Sequence, residues 1–310
     1  MSVSAGAKVQ RRTSGLSDKV RKRIEITILS LPALIMFLGF VILPVFMAGY
    51  YGFFKWKGYG KPTVNGQFIG FENYKVILTD PNFQQALGHT LFVVVASLVI
   101  QGPLAILFAL LLNQKFKGRA LIRTLIFVPY VVSEVIVGTG WSLILQTTGA
   151  LNALLKKIGL GGADWISDPK IAIWTLMFII SWKYIGFAVI LMIAGMQSIP
   201  EDLYEAAKVD GAGFWRQQWS ITLPLLGPTI RIWAFMSIIG SLQLFDLVYI
   251  IWGQYVSSTA GTSTMATYMV REGRLANNYG YGSAVAVVIF IISLVIALTY
   301  QRFVLNRDLE

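Results

Sequence analysis

The chain has 310 residues, is 55% hydrophobic and carries only 13% charged side chains, against roughly 25% in ordinary soluble domains, so its main solvent is lipid. The formal charge of +11 is no sign of nucleic-acid binding, because its densest cluster (Lys8, Arg11, Arg12, Lys19, Arg21, Lys22, Arg23) is a tail ahead of an apolar run, where cations orient membrane insertion. The absence of cysteine and the single His89 exclude disulfides, thiolate metal sites and a complete zinc centre, and the composition implies no metal.

A helix needs about twenty apolar residues to cross the hydrocarbon. In chain order, six stretches qualify: 28–50, 90–112, 122–145, 171–195, 229–252 and 283–303. The first is too long for a signal-peptide core and is read as retained. His89 stands at the start of the second and is expected at the headgroup level. Prolines 32, 44, 103 and 129 fall within spans, where neighbouring helices tolerate kinks. No repeat of fixed period occurs.

Six spans put both termini on one side. With the N-terminal tail inside, the inside segments and their flanks hold sixteen Lys and Arg, the outside loops nine, and Lys183 lies within span four. That excess on the inside places both termini in the cytoplasm.

Three ionisable residues lie within spans: Glu134, Lys183 and Asp246. Each costs about 3 kcal/mol at the bilayer centre, so each is expected to face the bundle interior. Glu134 and Lys183 either neutralise one another and pin two helices, or line a pathway; the two roles are compatible. Asp246, near the outer end of its span, either caps or snorkels. Helical spacing groups Tyr130 with Glu134, Lys183 with Tyr184 and Phe187, and Ser237 with Gly240, Ser241 and Leu244. The last stripe suits close helix packing more often than a substrate path.

Between spans four and five runs SIPEDLYEAAKVDGAGFWRQQWSITLPLLGP (198–228). Ser198 is placed to cap a helix, with Pro200 in its first turn and Glu201 as the capping-box acid. Glu201 and Asp202 meet the positive end of its dipole. Gly211 offers a left-handed stop, and a second short helix is expected over 213–222. Four of the fifteen acids (Glu201, Asp202, Glu205, Asp210) fall here. A connector lying on anionic lipid would carry Lys and Arg instead, so a basic protein partner fits this hairpin better.

EAAKVDGAGFWRQQWSITLP resembles the EAA loop of type I ABC importer permeases, with Glu205, Ala206, Ala207, Asp210, Gly211, Ala212, Ile221, Leu223 and Pro224 in the family's places. IGFENYKVILTDPNFQQALGHT (69–90), LIRTLIFVPYVVSEVIVGTGW and WISDPKIAIW resemble the carbohydrate branch, of the maltose and glycerol-phosphate type. The resemblance runs from about 69 to 303. In one departure, IIWGQYVSSTAGTST stands where the branch has a Gly-Gly-Pro turn after span five.

The resemblance implies an all-α integral membrane protein with six transmembrane helices and a cytoplasmic coupling helix. It implies a basic tail (1–25), a first helix with an extracytoplasmic leader loop (26–85), a permease domain (86–303) and a C-terminal tail (304–310). The coupling set would be Glu201, Asp202, Tyr204, Glu205, Ala206, Ala207, Asp210, Gly211 and Ala212, with Glu205 pairing with an ATPase arginine. Tyr130, Glu134, Lys183, Tyr184, Phe187, Ser237, Gly240, Ser241 and Leu244 would line the sugar pathway. The implied partners are a second related permease, two cytoplasmic ATPase subunits and an extracytoplasmic solute-binding protein, in the cytoplasmic membrane and its lipid. No G-x-x-x-x-G-K-[S/T] string occurs, so ATP and Mg are expected on the ATPase chain, with no cofactor and no catalytic residue here. The alternative is an ion-coupled secondary transporter of a polar solute. That class calls for inverted repeats and interrupted helices and has no need of an acidic docking helix.

Overall fold

The computed structural model describes residues 18–305; Lys8, Arg11, Arg12 and Arg307, and the tails beyond these limits, lie outside the described residues. By its contacts the chain forms two units, residues 1–48 and residues 49–310.

The first unit holds α1 (Asp18–Phe37), a π-helical turn (Leu38–Ile42) and the start of α2 (Leu43–Tyr51). Arg21 and Glu25 pair one turn apart at its polar end. Pro44 explains the widened turn. Its ring lacks an N–H and displaces the carbonyl four residues back, here Phe40, which lies inside the π turn. Pro103 and Pro224 repeat the relationship with the π segments Ser97–Gln101 and Gln218–Thr222. Thus three prolines each mark a local widening of the ladder rather than a helix end.

The second unit opens on the leader. Strands β1 (Phe54–Lys55) and β2 (Gln67–Phe68) pair antiparallel around the short α3 (Pro62–Asn65). Asn73 in α4 (Glu72–Thr79) donates to the Gly52 and Phe54 carbonyls. Gly280 presses on the same strand, where a Cβ would stand 1.9 Å from the Phe54 carbonyl oxygen.

The membrane helices follow. α5 (Pro81–Ala96) and α6 (Gly102–Leu112), joined by the Ser97–Gln101 π segment, form one span of 32 residues. It starts nine residues before the expected 90, because Asp80 caps the helix through the Asn82 N–H with Pro81 at the first position. α10 (Ala172–Gln197), α14 (Gly227–Leu242) leading into α15 (Asp246–Thr259), and α17 (Tyr279–Tyr300) supply three more. With the first helix, five helices among the described residues are long and apolar enough to span.

The expected span 122–145 is corrected. It is two helices, α7 (Arg119–Val131) and α8 (Glu134–Ile144), bent by 96°. Val132 is extended, and Ser133 accepts from the Ile136 N–H as the cap of a new helix. Counting the bent pair as one span brings the total to six.

Small residues let the helices close on one another, as lipid-embedded packing requires. Ala105 and Ala109 of α6 and Ala188 of α10 are fully buried in one core. A Cβ on Gly186 would lie 2.1 Å from the Ile126 carbonyl oxygen, so α10 meets α7 backbone to backbone. A second core joins α8, α10 and α15, and a third joins α4, α5, α14, α16 (Met265–Val270) and α17.

The segment that departs from the Gly-Gly-Pro pattern turns inward. α15 breaks at Gly253, and the side chains of 254–258 lie outside the described residues. Ala260 to Thr264 are buried, with the Thr264 hydroxyl donating to the Leu244 carbonyl and forming a capping box with Thr267. His89 is half-buried, its Nδ1 3.1 Å from the Ser263 carbonyl, so it braces this segment.

Candidate functional site

Where the Ser97–Gln101 segment, the middle of α10, the end of α7 and the face of α14 converge, they enclose a cavity of about 260 Å³. Seven of the nine expected pathway residues line it: Tyr130, Tyr184, Phe187, Ser237, Gly240, Ser241 and Leu244. A Cβ placed on Gly240 would meet nothing within 4 Å. The small-residue stripe of α14 therefore opens onto a space instead of packing on a helix. Tyr130 and Phe187 stack with ring centres 5.0 Å apart, and Tyr184 meets Tyr130 edge to face at 6.2 Å.

Glu134 and Lys183 do not line this cavity, and neither is the other's ion-pair partner, so the mutual pairing that the sequence left open as one alternative does not form. Lys183 Nζ donates to the Val132 carbonyl at 2.7 Å, and Tyr184 donates its hydroxyl to Glu134. The reason is the bend. The Val132 carbonyl, extended past the end of α7, needs a donor, and the ammonium meets the negative end of that helix's dipole. Glu134, in the first turn of α8, faces the positive end of its own helix. Each charge thus serves a helix terminus created by the break. Asp246 is exposed in the first turn of α15.

Six further residues complete the lining: Val93, Ser97, Gln101, Ile180, Trp233 and Met236. Among the polar residues within spans, Gln101, the sole amide in TLFVVVASLVIQGPLAILFALLL, was the signal in the sequence that the expected pathway set left out.

The acid-rich hairpin forms as α11 (Glu201–Val209) and α12 (Phe214–Gln217), the latter continuing through the π segment to α13 (Leu223–Leu225). Ser198 is not its cap. Its hydroxyl bonds back to the Gly195 carbonyl at 2.7 Å, and Pro200 occupies the cap position without a side-chain bond. Residues before a proline favour extended backbone, and Ile199 separates the two helices accordingly. Gly211 has φ +75°, the left-handed stop its position calls for. Glu201, Asp202, Glu205, Ala206, Asp210 and Gly211 are exposed, and α11 buries none of its residues. Ala207 and Ala212 are half-buried. Tyr204 turns its hydroxyl to Thr222 at 3.0 Å, and Gln217 donates to the Ala212 carbonyl. Tyr204 therefore braces the hairpin, leaving the acids and small residues as its free face.

At the head of α5, Asp80 accepts from Tyr268 at 2.6 Å, and Tyr268 in turn meets the Tyr281 hydroxyl at 2.9 Å. Burial raises the Asp80 pKa, but hydrogen bonds from Tyr268 and from the Asn82 and Phe83 backbone outweigh it, and the net shift is downward. Burial and the bond to Asp80 push the Tyr268 phenol up.

Residues 101–309 match the family described as the binding-protein-dependent transport system inner membrane component. The chain is 30% identical over 276 residues to the trehalose/maltose transport system permease protein MalF of Thermococcus litoralis, covering 88% of this chain and 90% of that one. It is 32% identical over 290 residues to the sulfoquinovosyl glycerol transport system permease protein SmoG of Agrobacterium fabrum, covering 92% of each. Its fold superimposes with a TM-score of 0.81 and 26% identity on a chain of a bacterial alginate ABC transporter solved in complex with alginate pentasaccharide-bound periplasmic protein, covering 94% of this chain and 96% of that one. With a bent span, a mid-span cavity and an exposed acidic hairpin on the same frame, the chain belongs to the family of binding-protein-dependent transport system inner membrane components, the multi-pass permease subunits of ABC importers.

Proposed function

We propose that this permease carries a sugar, an oligosaccharide first of all, across the cytoplasmic membrane. The cavity is the observation that supports this most. Tyr130, Tyr184, Phe187 and Trp233 offer aromatic faces, and Ser97, Gln101, Ser237 and Ser241 offer hydroxyls and an amide. Sugar rings stack their C–H faces on such rings, while their hydroxyls take the polar groups. The sugar-transport names of the relatives support the same substrate class.

In this reading both termini are cytoplasmic. Residues 1–25 form the basic tail, 26–85 the first helix and extracytoplasmic leader, 86–303 the permease domain and 304–310 the C-terminal tail. A second related permease completes the pathway, and an extracytoplasmic solute-binding protein delivers the sugar. Two ATPase subunits hold ATP and Mg, and α11 seats in one of them, with Glu205 meeting a cation of that subunit. Closure of the ATPase pair then moves α11 and switches the bundle between two states. Glu134 and Lys183 act on the pathway indirectly, through the α7–α8 bend and Tyr184.

The test is reconstitution of the four-part assembly with its binding protein in proteoliposomes, followed by uptake of labelled maltose, trehalose, arabinotriose and an alginate trisaccharide. ATP-dependent accumulation of at least one of them is expected. Uptake driven by an ion gradient in vesicles lacking the ATPase would favour the secondary-transporter reading instead.

A further inference from the structure

Among the groups around the cavity, Gln101 has no evident structural task. Its side chain is 3% exposed, its Nε2 has no hydrogen-bond partner, and it lines the cavity. An unpaired buried polar group is expensive, and lipid offers it no relief. Such a group persists where something else requires it.

Its surroundings are built around it. Pro103 widens the preceding turn into the π segment, a feature frequent at functional sites. That segment directs Ser97 and Gln101 to the cavity while Val99 and Ile100 face outward. The next residue, Gly102, gives the Trp233 indole its seat: a Cβ there would stand 2.8 Å from the ring. The amide and an aromatic face therefore stand side by side in one wall.

We propose that Gln101 is a specificity-determining residue whose amide binds a vicinal diol of the transported sugar, with the ring seated against Trp233. An amide offers a donor and an acceptor together, and two adjacent hydroxyls return both. The assignment rests on the sugar reading above.

The test compares the wild-type assembly with Gln101→Leu, which keeps the bulk and removes the polarity. Uptake is measured with the member of the four-sugar panel that wild type accumulates, together with the melting temperature of the purified assembly. Maximal uptake by Gln101→Leu is expected to fall about thirtyfold, the effect of the two lost substrate hydrogen bonds, with the melting temperature unchanged or raised. A lowered melting temperature would reveal a structural amide and overturn the proposal, as would unaltered uptake. If wild type accumulates no sugar, the sugar reading fails and takes this assignment with it. If wild type transports and the variant matches it, only the assignment falls.

Discussion

Lys183 Nζ donates to the Val132 carbonyl oxygen at 2.7 Å, at the point where α7 and α8 part by 96°. A lysine on α10 thereby supplies the donor that the interrupted helix has lost, and the bend and the buried charge stabilise one another.

Removing that donor has a definite expected effect. Lys183→Met leaves the Val132 carbonyl without its donor at the α7–α8 break and should cost about 2 kcal/mol, the range for a bond to a charged group. The purified assembly should melt at a lower temperature. An unchanged value would mean that the carbonyl finds another partner and that the lysine does not hold the bend.

The aromatic wall is tested by Tyr184→Ala and Phe187→Ala. Phe187 stacks on Tyr130, and both substituted side chains line the cavity. Each variant should assemble normally and lose about tenfold in maximal sugar uptake, consistent with ~1 kcal/mol or more per lost aromatic contact. Wild-type uptake by both would remove these rings from the pathway.

The hairpin is exposed along α11, so changing its charge leaves the fold alone. Glu205→Lys is expected to insert and melt like wild type, to recover less ATPase on purification and to lose uptake more than about thirtyfold, as when a partnered interface charge is reversed. Full retention of the ATPase would rule out docking through Glu205.

Two glycines should separate packing from pathway. Gly186→Ala forces its Cβ onto the Ile126 carbonyl, and overpacking of this kind costs about 1–3 kcal/mol, so melting should suffer. Gly240→Ala meets nothing and should leave melting unchanged while narrowing the cavity and lowering uptake of bulky sugars. The reverse pattern would place the glycines in opposite roles.

Acid should loosen the head of α5. The folded pKa of Asp80 is depressed, so its contribution is complete above the unfolded carboxylate value of about 3.9 and is lost as pH falls through the depressed folded value. Tyr268→Phe removes one of the bonds that depress it. Melting curves recorded from about pH 6 down to about pH 3 should show a shallower acid limb for the variant. Parallel limbs would mean that Tyr268 does not set the Asp80 pKa.

Hydropathy and charge bias alone determined that the chain spans a membrane several times, because burial in lipid demands long apolar runs whatever their neighbours. Local chemistry determined α11 and its stop at Gly211, since dipole-facing acids and a left-handed glycine act within a few residues. Helical spacing grouped Ser237, Gly240, Ser241 and Leu244, but whether that face met a helix or a space depended on the distance to α5 and α10. The break at Val132 lay inside a stretch apolar enough overall to read as one span, where the Ser133–Glu134 helix start is audible only once α10 brings Lys183 to the exposed carbonyl. Ser198 misled for a related reason: its hydroxyl had two helix ends within reach, and the longer α10 took it. The sequence settles what is apolar and what can cap; only tertiary packing decides which polar group meets which terminus, because those partners lie tens of residues away.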